Sequence, residues 1–249
     1  MTNGAFKVGV ALPSFHIWEA EFGLSLSQAC MHMMQRGVAG YHGTHIHVMN
    51  KRGSILPSLR YQLVKDARTL GCTHLLFVDS DQVWPLDTIH TLAKHHKMIV
   101  GCNVATKVMP PETAPTARKR SDTNPFGEIV FTRMESTGLE KVWRLGFGIM
   151  LIDMRVFDKI PRPYFNIVWR DDYDQHMGED WYFCEEAEKA GFDIWVDHDL
   201  SKKIGHVGPV TFTHDMIFPD LVTDRREKFL AAQRPSKPNL RAISPAGSA

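Results

Sequence analysis

Two pairs of acids carry the strongest chemical suggestion in this chain. In HLLFVDSDQVWP (residues 74–85) an apolar run ends on Asp79 and Asp81, with only Ser80 between them. Residues two apart on a strand point the same way, and like charges this close repel unless a cation lies between them. A divalent ion such as Mg²⁺ or Mn²⁺ would meet that need, since it prefers oxygen ligands and shares them with phosphates. A plainer reading makes one of the two acids the cap of a helix beginning near Pro85. The second pair, Glu179 and Asp180 in MGEDWYF, opens a helical segment, where the macrodipole favours negative charge. Ordinary N-terminal capping also places acids there. Trp181 beside them offers the apolar wall that keeps a carboxylate poised as a general base.

Histidines supply further candidates. In KKIGHVG (202–208) His206 lies between two glycines, where the backbone can come close to a ligand. His198 and His214 compete with it. In YHGTHIHV, His42 precedes His45 and His47, which share one strand face and would need a third partner to hold a metal. His95 and His96 suit a helix end, where cations are favoured. The acidic run RDDYDQHMGED reads as a solvated loop.

These residues need a scaffold, and the chain spells one. FKVGVAL (6–12) reads as a strand stopping at Pro13-Ser14, LSLSQACMHMMQRG (24–37) as a helix, and THIHVMN (44–50) as a strand. SILPSLRYQLVKDARTLG (54–71) is the clearest helix, with Leu59, Leu63, Ala67 and Leu70 on one stripe and Gly71 at its end. HLLFV is the continuous apolar run of a strand covered on both faces. PLDTIHTLAKH (85–95) follows as a helix and KMIVGCNVA (97–105) as a strand. Strand and helix alternate, so the fold class is α/β, with a mostly parallel central sheet flanked by helices. Chemistry in such sheets gathers at the carboxyl ends of the strands, where Asp79 and Asp81 stand.

The second half is less regular. PPETAPTARKRSDTNPFG (110–127) is a Pro-rich polar loop, while EIVFTRM and KVWRLGFGIMLID read as strands, the latter broken at Gly146 and Gly148. EDWYFCEEAEKAG (179–191) is a helix and FDIWVD (192–197) a strand. One domain spanning 1–232 is expected, followed by a tail (233–249) of disordered composition.

Composition narrows the classes. Of the 249 residues 43% are hydrophobic and 23% charged, and the formal net charge of +1 gives no global field for nucleic acid or anionic membrane. Cys30, Cys72, Cys102 and Cys184 never fall at metal-ligand spacing, which suits reduced thiols in a cytoplasmic protein. No signal peptide and no membrane span are read from the sequence.

Strand-DSD, then G-x-G before an apolar strand, then GED-Trp on a helix, then a late His: this order resembles the GT-A (Rossmann-like) glycosyltransferases, over roughly residues 6–215. More particularly it resembles the short family-two-like enzymes of phages and bacteria. The resemblance implies a nucleotide-sugar donor, UDP-linked for preference, and Mn²⁺ or Mg²⁺ as cofactor. It implies that Asp79 contacts the nucleotide or metal, that Asp81 holds the metal bridging the diphosphate, and that His206 completes that shell. Leu12, Pro13, Ser14, Asn50, Arg52 and Ser80, with Arg60, would hold the nucleotide-sugar. Gly146, Phe147, Gly148 and Trp181 would wall the acceptor site. Asp180, with Glu179 beside it, would be the base of an inverting transfer.

The acceptor is left open between a saccharide and a hydroxymethylated base in duplex DNA. Lys107, Arg118, Lys119 and Arg120 gather around the Pro-rich loop, and a basic tail runs from Arg225 through Arg226, Lys228, Arg234 and Lys237 to Arg241. Two rival classes stand beside this reading. A sugar-nucleotide nucleotidyltransferase would carry a Gly-rich loop after the first strand, where this chain has ALPSFHIW. A non-catalytic nucleotide-sugar-binding module would keep the fold without turnover.

Overall fold

A computed structural model describes residues 4–15, 17–110, 112–172 and 174–222. The tail expected at 233–249, and the basic residues from Arg225 onward, lie outside the described residues. The first half runs β1 (Phe6–Ser14), α1 (Ala20–Arg36), β2 (Thr44–Arg52), α2 (Leu56–Thr69), β3 (His74–Val78), β4 (Gln82–Val83), α3 (Thr88–Lys94) and β5 (Ile99–Gly101). Two short strands and two longer ones follow: β6 (Arg118–Lys119), β7 (Glu128–Ile129), β8 (Leu139–Val142) and β9 (Ile149–Asp153). The chain then forms β10 (Val168–Arg170), β11 (Gln175–Met177), α4 (Glu179–Lys189), β12 (Ile194–Asp197), α5 (His198–Ser201), β13 (Gly205–Val207) and β14 (Thr211–Phe212).

Seven strands form the central sheet in the order β2-β1-β3-β9-β5-β12-β8. Five of them point the same way, while β9 and β8 run against their neighbours. The alternation of side chains along β3 explains its unbroken apolar run. Leu75 and Phe77 enter one core with Leu63, Val64 and Ala67 of α2 and with Phe183, Cys184 and Ala187 of α4. Leu76 and Val78 enter the opposite core with Phe22, Leu26, Ala29 and Met33 of α1 and with Ile89 and Leu92 of α3. A strand buried on both faces reads as a near-continuous apolar run. Among the described residues, no helix is long and apolar enough to cross a membrane.

Three elements differ from the sequence reading. KVWRLGFGIMLID is not one interrupted strand: β8 lies at the sheet edge and β9 at its centre, with 143–148 crossing between them. Gly101 makes the β5–β9 contact possible, because a Cβ there would lie 2.5 Å from the Ile149 carbonyl oxygen. In EIVFTRM only Glu128–Ile129 pairs, against Arg118–Lys119. KMIVGCNVA narrows to Ile99–Gly101, and by Asn103 the backbone turns to side-chain partners, its N–H donating to Ser201 Oγ at 2.9 Å.

A small antiparallel ribbon at the carboxyl edge matters most for the site. In it β4 pairs with β13, Gln82 opposite His206, and β13 pairs with β14. The Val207 N–H donates to the Asp81 carbonyl at 2.7 Å. The late histidine is thereby carried back to the DSD turn.

Candidate active site

β3 ends at Val78, and the chain turns there: Asp79 N–H donates to the Gly148 carbonyl and Gln82 N–H to the Asp79 carbonyl, both at 3.2 Å. The turn splays the two carboxylates onto different cations. Asp79 Oδ1 accepts from Arg60 Nη2 at 3.1 Å, and Arg60 Nε donates to Glu179 Oε1 at 3.2 Å. Arg60 comes from α2, is only 2% exposed, and lies 4.8 Å from the ring centre of Phe147 and 5.3 Å from that of Phe77. Arg60, expected from sequence to help hold the nucleotide, thus joins the two acidic clusters. Neither aspartate caps a helix, since α3 begins at Thr88, whose N–H and hydroxyl both donate to the Pro85 carbonyl.

Asp81 meets different partners. Its Oδ2 holds the Lys107 ammonium at 2.5 Å, and its Oδ1 lies 3.3 Å from His206 Nε2. Burial works to raise the Asp81 carboxyl, but His206 and Lys107 outweigh it and hold it down at about 2. His206 Nδ1 sits 2.8 Å from the Ala105 carbonyl oxygen, which can only accept, so Nδ1 carries a proton. His206 Nε2 faces Asp81 Oδ1, which is buried without a hydrogen-bond partner. A ring nitrogen and a carboxylate oxygen at this distance can share a proton or take a divalent cation in its place. A backbone carbonyl behind the far ring nitrogen is also the usual support of a metal-binding histidine. The donor set therefore fits Mn²⁺ or Mg²⁺ at Asp81 and His206. No three His, Cys, Asp or Glu side chains converge as a ready cage among the described residues. Mg²⁺ in phosphate-transfer sites commonly takes one or two carboxylates and fills the rest with phosphate and water.

The GED turn divides its two acids. Gly178 is the N-cap of α4, with no side-chain cap, and Glu179 and Asp180 form the first turn. Glu179 is buried and bound to Arg60. Asp180 has no cation of its own, and its Oδ1 accepts from the Trp181 N–H at 2.7 Å. Burial, then the neighbouring Glu179 charge, pushes the Asp180 carboxyl up to about 6. That is where a general base works well near neutral pH. The two neighbouring acids thus differ: Glu179 is paired with Arg60, and Asp180 has no ion pair.

The other sequence candidates spread around this centre. Leu12, Pro13 and Ser14 are buried at the end of β1, and Asn50 pins them by donating to the Leu12 carbonyl at 2.7 Å and to Ser14 Oγ at 2.8 Å. Arg52 is exposed at the end of the adjoining β2, and the Ser80 carbonyl receives the Glu19 N–H at 3.4 Å. Phe147 and Trp181 are both buried, Phe147 under Arg60 and Trp181 4.5 Å from the Arg144 guanidinium. Each ring packs beside a guanidinium group. Gly146 lies against Thr116, and Gly148 against Val104 and the Gln82 amide. The Gln82 amide, buried with neither atom hydrogen-bonded to protein, was not singled out from sequence. His45 and His47 lie on the edge strand β2. His198 is held by Thr132 and Glu140, and His214 by the Asn103 carbonyl.

The cations of the basic loop each have a partner, and Lys119 and Arg120 stay largely exposed. Arg118 is buried and donates to the carbonyls of Pro115 and Ala117, Lys119 pairs with Glu140, and Arg120 pairs with Glu188.

No family model matches the chain, and no curated protein matches it. Among solved structures it is similar to A197 from STIV, with a TM-score of 0.51 and 14% identity over 88% of this chain and 96% of that one. The catalytic domain of Drosophila beta1,4galactosyltransferase 7, in complex with xylobiose, aligns with a TM-score of 0.46 and 14% identity over 93% of this chain and 82% of that one. At such identity the first likeness speaks for a shared α/β fold, and nothing about chemistry follows from the second.

Proposed function

We propose that this protein is a metal-dependent glycosyltransferase of GT-A type, moving a sugar from a nucleotide-sugar to an acceptor hydroxyl with inversion. One observation carries the reading. Arg60 ties Asp79 to Glu179, so the two acidic clusters of the sequence form one centre with Asp180 as its uncommitted carboxylate. Asp81 and His206 would hold Mn²⁺ or Mg²⁺, which when bound neutralises charge building on the departing diphosphate. The Asn50-pinned end of β1, with Arg52 and Ser80, would seat the nucleotide, UDP for preference. Asp180 accepts the proton of the acceptor hydroxyl as that oxygen bonds to the anomeric carbon. The bond from that carbon to the phosphate oxygen breaks, and its electron pair leaves on the nucleoside diphosphate. The buried Phe147 packs against Arg60, and the Trp181 N–H holds Asp180 Oδ1.

The tied charges of Arg118, Lys119 and Arg120 favour a saccharide over duplex DNA as acceptor. The test is a panel of nucleotide-sugars with Mn²⁺, read by melting temperature and by release of nucleoside diphosphate, first alone and then with glycans or hydroxymethylcytosine duplex. Stabilisation with slow release of nucleoside diphosphate supports the reading. Release of pyrophosphate would point to a nucleotidyltransferase, and stabilisation without any release to a binding module. Transfer to the duplex alone would replace the saccharide with DNA.

A further inference from the structure

Lys107 has no part in the scheme above, yet it touches the residue on which that scheme depends. It follows β5 where the chain leaves the carboxyl edge of the sheet, and its ammonium reaches back to Asp81 Oδ2. Its stem crosses Gly208, where an added Cβ would come within 3.3 Å of Lys107 Cδ. The segment carrying it is closed at its base. Ala105 bridges to Pro115, Thr106 N–H donates to the Ala114 carbonyl at 2.9 Å, and Ala114 N–H donates to the Thr106 hydroxyl at 3.0 Å. The backbone at Lys107 is thereby anchored, while its side chain is 39% exposed. A lysine is a point charge on a four-carbon stem, so it can change partners by rotamer alone.

The two oxygens of Asp81 are unequal. Oδ1 faces His206 and has no hydrogen-bond partner, whereas Oδ2 is taken by the ammonium. A divalent ion drawn to Oδ1 and Nε2 would repel an ammonium on the other oxygen of the same carboxylate. A diphosphate on that ion would attract it, since ammonium groups are common phosphate binders.

We propose that Lys107 is a donor-binding residue that exchanges partners, leaving Asp81 for the diphosphate when a divalent ion takes the carboxylate. The proposal rests on the glycosyltransferase reading. As the bond between the anomeric carbon and the phosphate oxygen breaks, the electron pair stays on that oxygen. Lys107 donates a hydrogen bond to the diphosphate and transfers no proton. The same ammonium then has two opposite effects: it competes with the metal and it assists the nucleotide.

Lys107→Met separates them, keeping the stem and removing the charge. Mn²⁺ binding to nucleotide-free full-length protein is read by electron paramagnetic resonance, and UDP binding at saturating Mn²⁺ by calorimetry, with GDP in parallel. The variant should bind Mn²⁺ several-fold more tightly and UDP about 10-fold more weakly, the worth of one hydrogen bond to a charged group. Lys107→Arg should restore most of the UDP affinity. Tighter Mn²⁺ with unchanged UDP affinity would overturn the proposal and leave Lys107 a mere counterion of Asp81. Weaker binding of both would also overturn it, making Lys107 a support of the metal site. If wild-type protein binds neither Mn²⁺ nor any nucleoside diphosphate, the glycosyltransferase reading fails first and the exchange with it.

Discussion

Arg60→Met is the most direct test of the architecture, because a single guanidinium joins the two acidic clusters. The substitution keeps a long side chain against Phe77 and Phe147, and a thioether packs well on aromatic rings. It removes the positive charge between Asp79 and Glu179. Breaking a buried ion pair by deleting one partner costs about 3–5 kcal/mol, since the remaining charge is left uncompensated. Some of that is offset: Arg60 Nη1 is buried without a hydrogen-bond partner, and removing such a group recovers about 1 kcal/mol. The net loss should be about 2–4 kcal/mol at neutral pH, or a melting point lower by roughly 4–16 °C for a chain of this size. It should also become pH-dependent. Burial pushes the Asp79 carboxyl up and Arg60 is the main group pulling it down, so losing the guanidinium raises it further. A carboxyl raised above its unfolded value weakens the fold as pH rises and relieves it as pH falls, so part of the loss should return near pH 5. Urea denaturation at pH 7 and pH 5 measures both. Adding Glu179→Gln to Arg60→Met should restore part of the stability relative to the single variant, because the more buried of the two orphaned charges is gone. A loss under ~1 kcal/mol for Arg60→Met, or no recovery in the double variant, would refute the internal tie.

Three further outcomes follow from the same geometry. Asp180→Asn should lower transfer by ~10²- to 10⁴-fold with donor affinity little changed, as measured by initial rates and calorimetry. In the wild type the rate should fall as pH drops through about 6, where Asp180 gains its proton, and a rate flat from pH 5 to 8 would dismiss it as the base. Asp81→Asn should abolish the thermal stabilisation given by Mn²⁺ with a nucleotide-sugar, an amide being a poor substitute for a charged metal ligand. Gly101→Ala should destabilise the fold by ~1–3 kcal/mol in denaturant titration, because its Cβ would press on the Ile149 carbonyl and part β5 from β9.

The legible parts of this fold are those that local burial dictates. HLLFV reads as a doubly covered strand because Leu75 and Phe77 serve one core and Leu76 and Val78 the other. The α2 stripe reads as a helix because its apolar residues recur at three and four. The direction of β9 was not legible, since an apolar run of five looks alike whether it runs with its neighbours or against them. Its place between β3 and β5 depends on the crossing at 143–148 and on the missing side chain of Gly101.

The site was legible as two acidic motifs but not as one centre, and Arg60 shows why. Its partners are far from each other along the chain, so no local spacing announces the tie. One signal was present nonetheless. In α2 the buried face runs Leu59, Arg60, Leu63, Val64 and Ala67, which places an arginine within the apolar stripe. Long charged side chains can escape a stripe by reaching water, but this one does not, at 2% exposed. A charge buried in that position must find acids, and the fold holds two acidic turns at the carboxyl edge of the same sheet. One guanidinium can answer both Asp79 and Glu179 because its donors fork. Asp180, one residue further on, has no such partner, and under the proposed function that asymmetry between neighbouring acids is what selects it as the base.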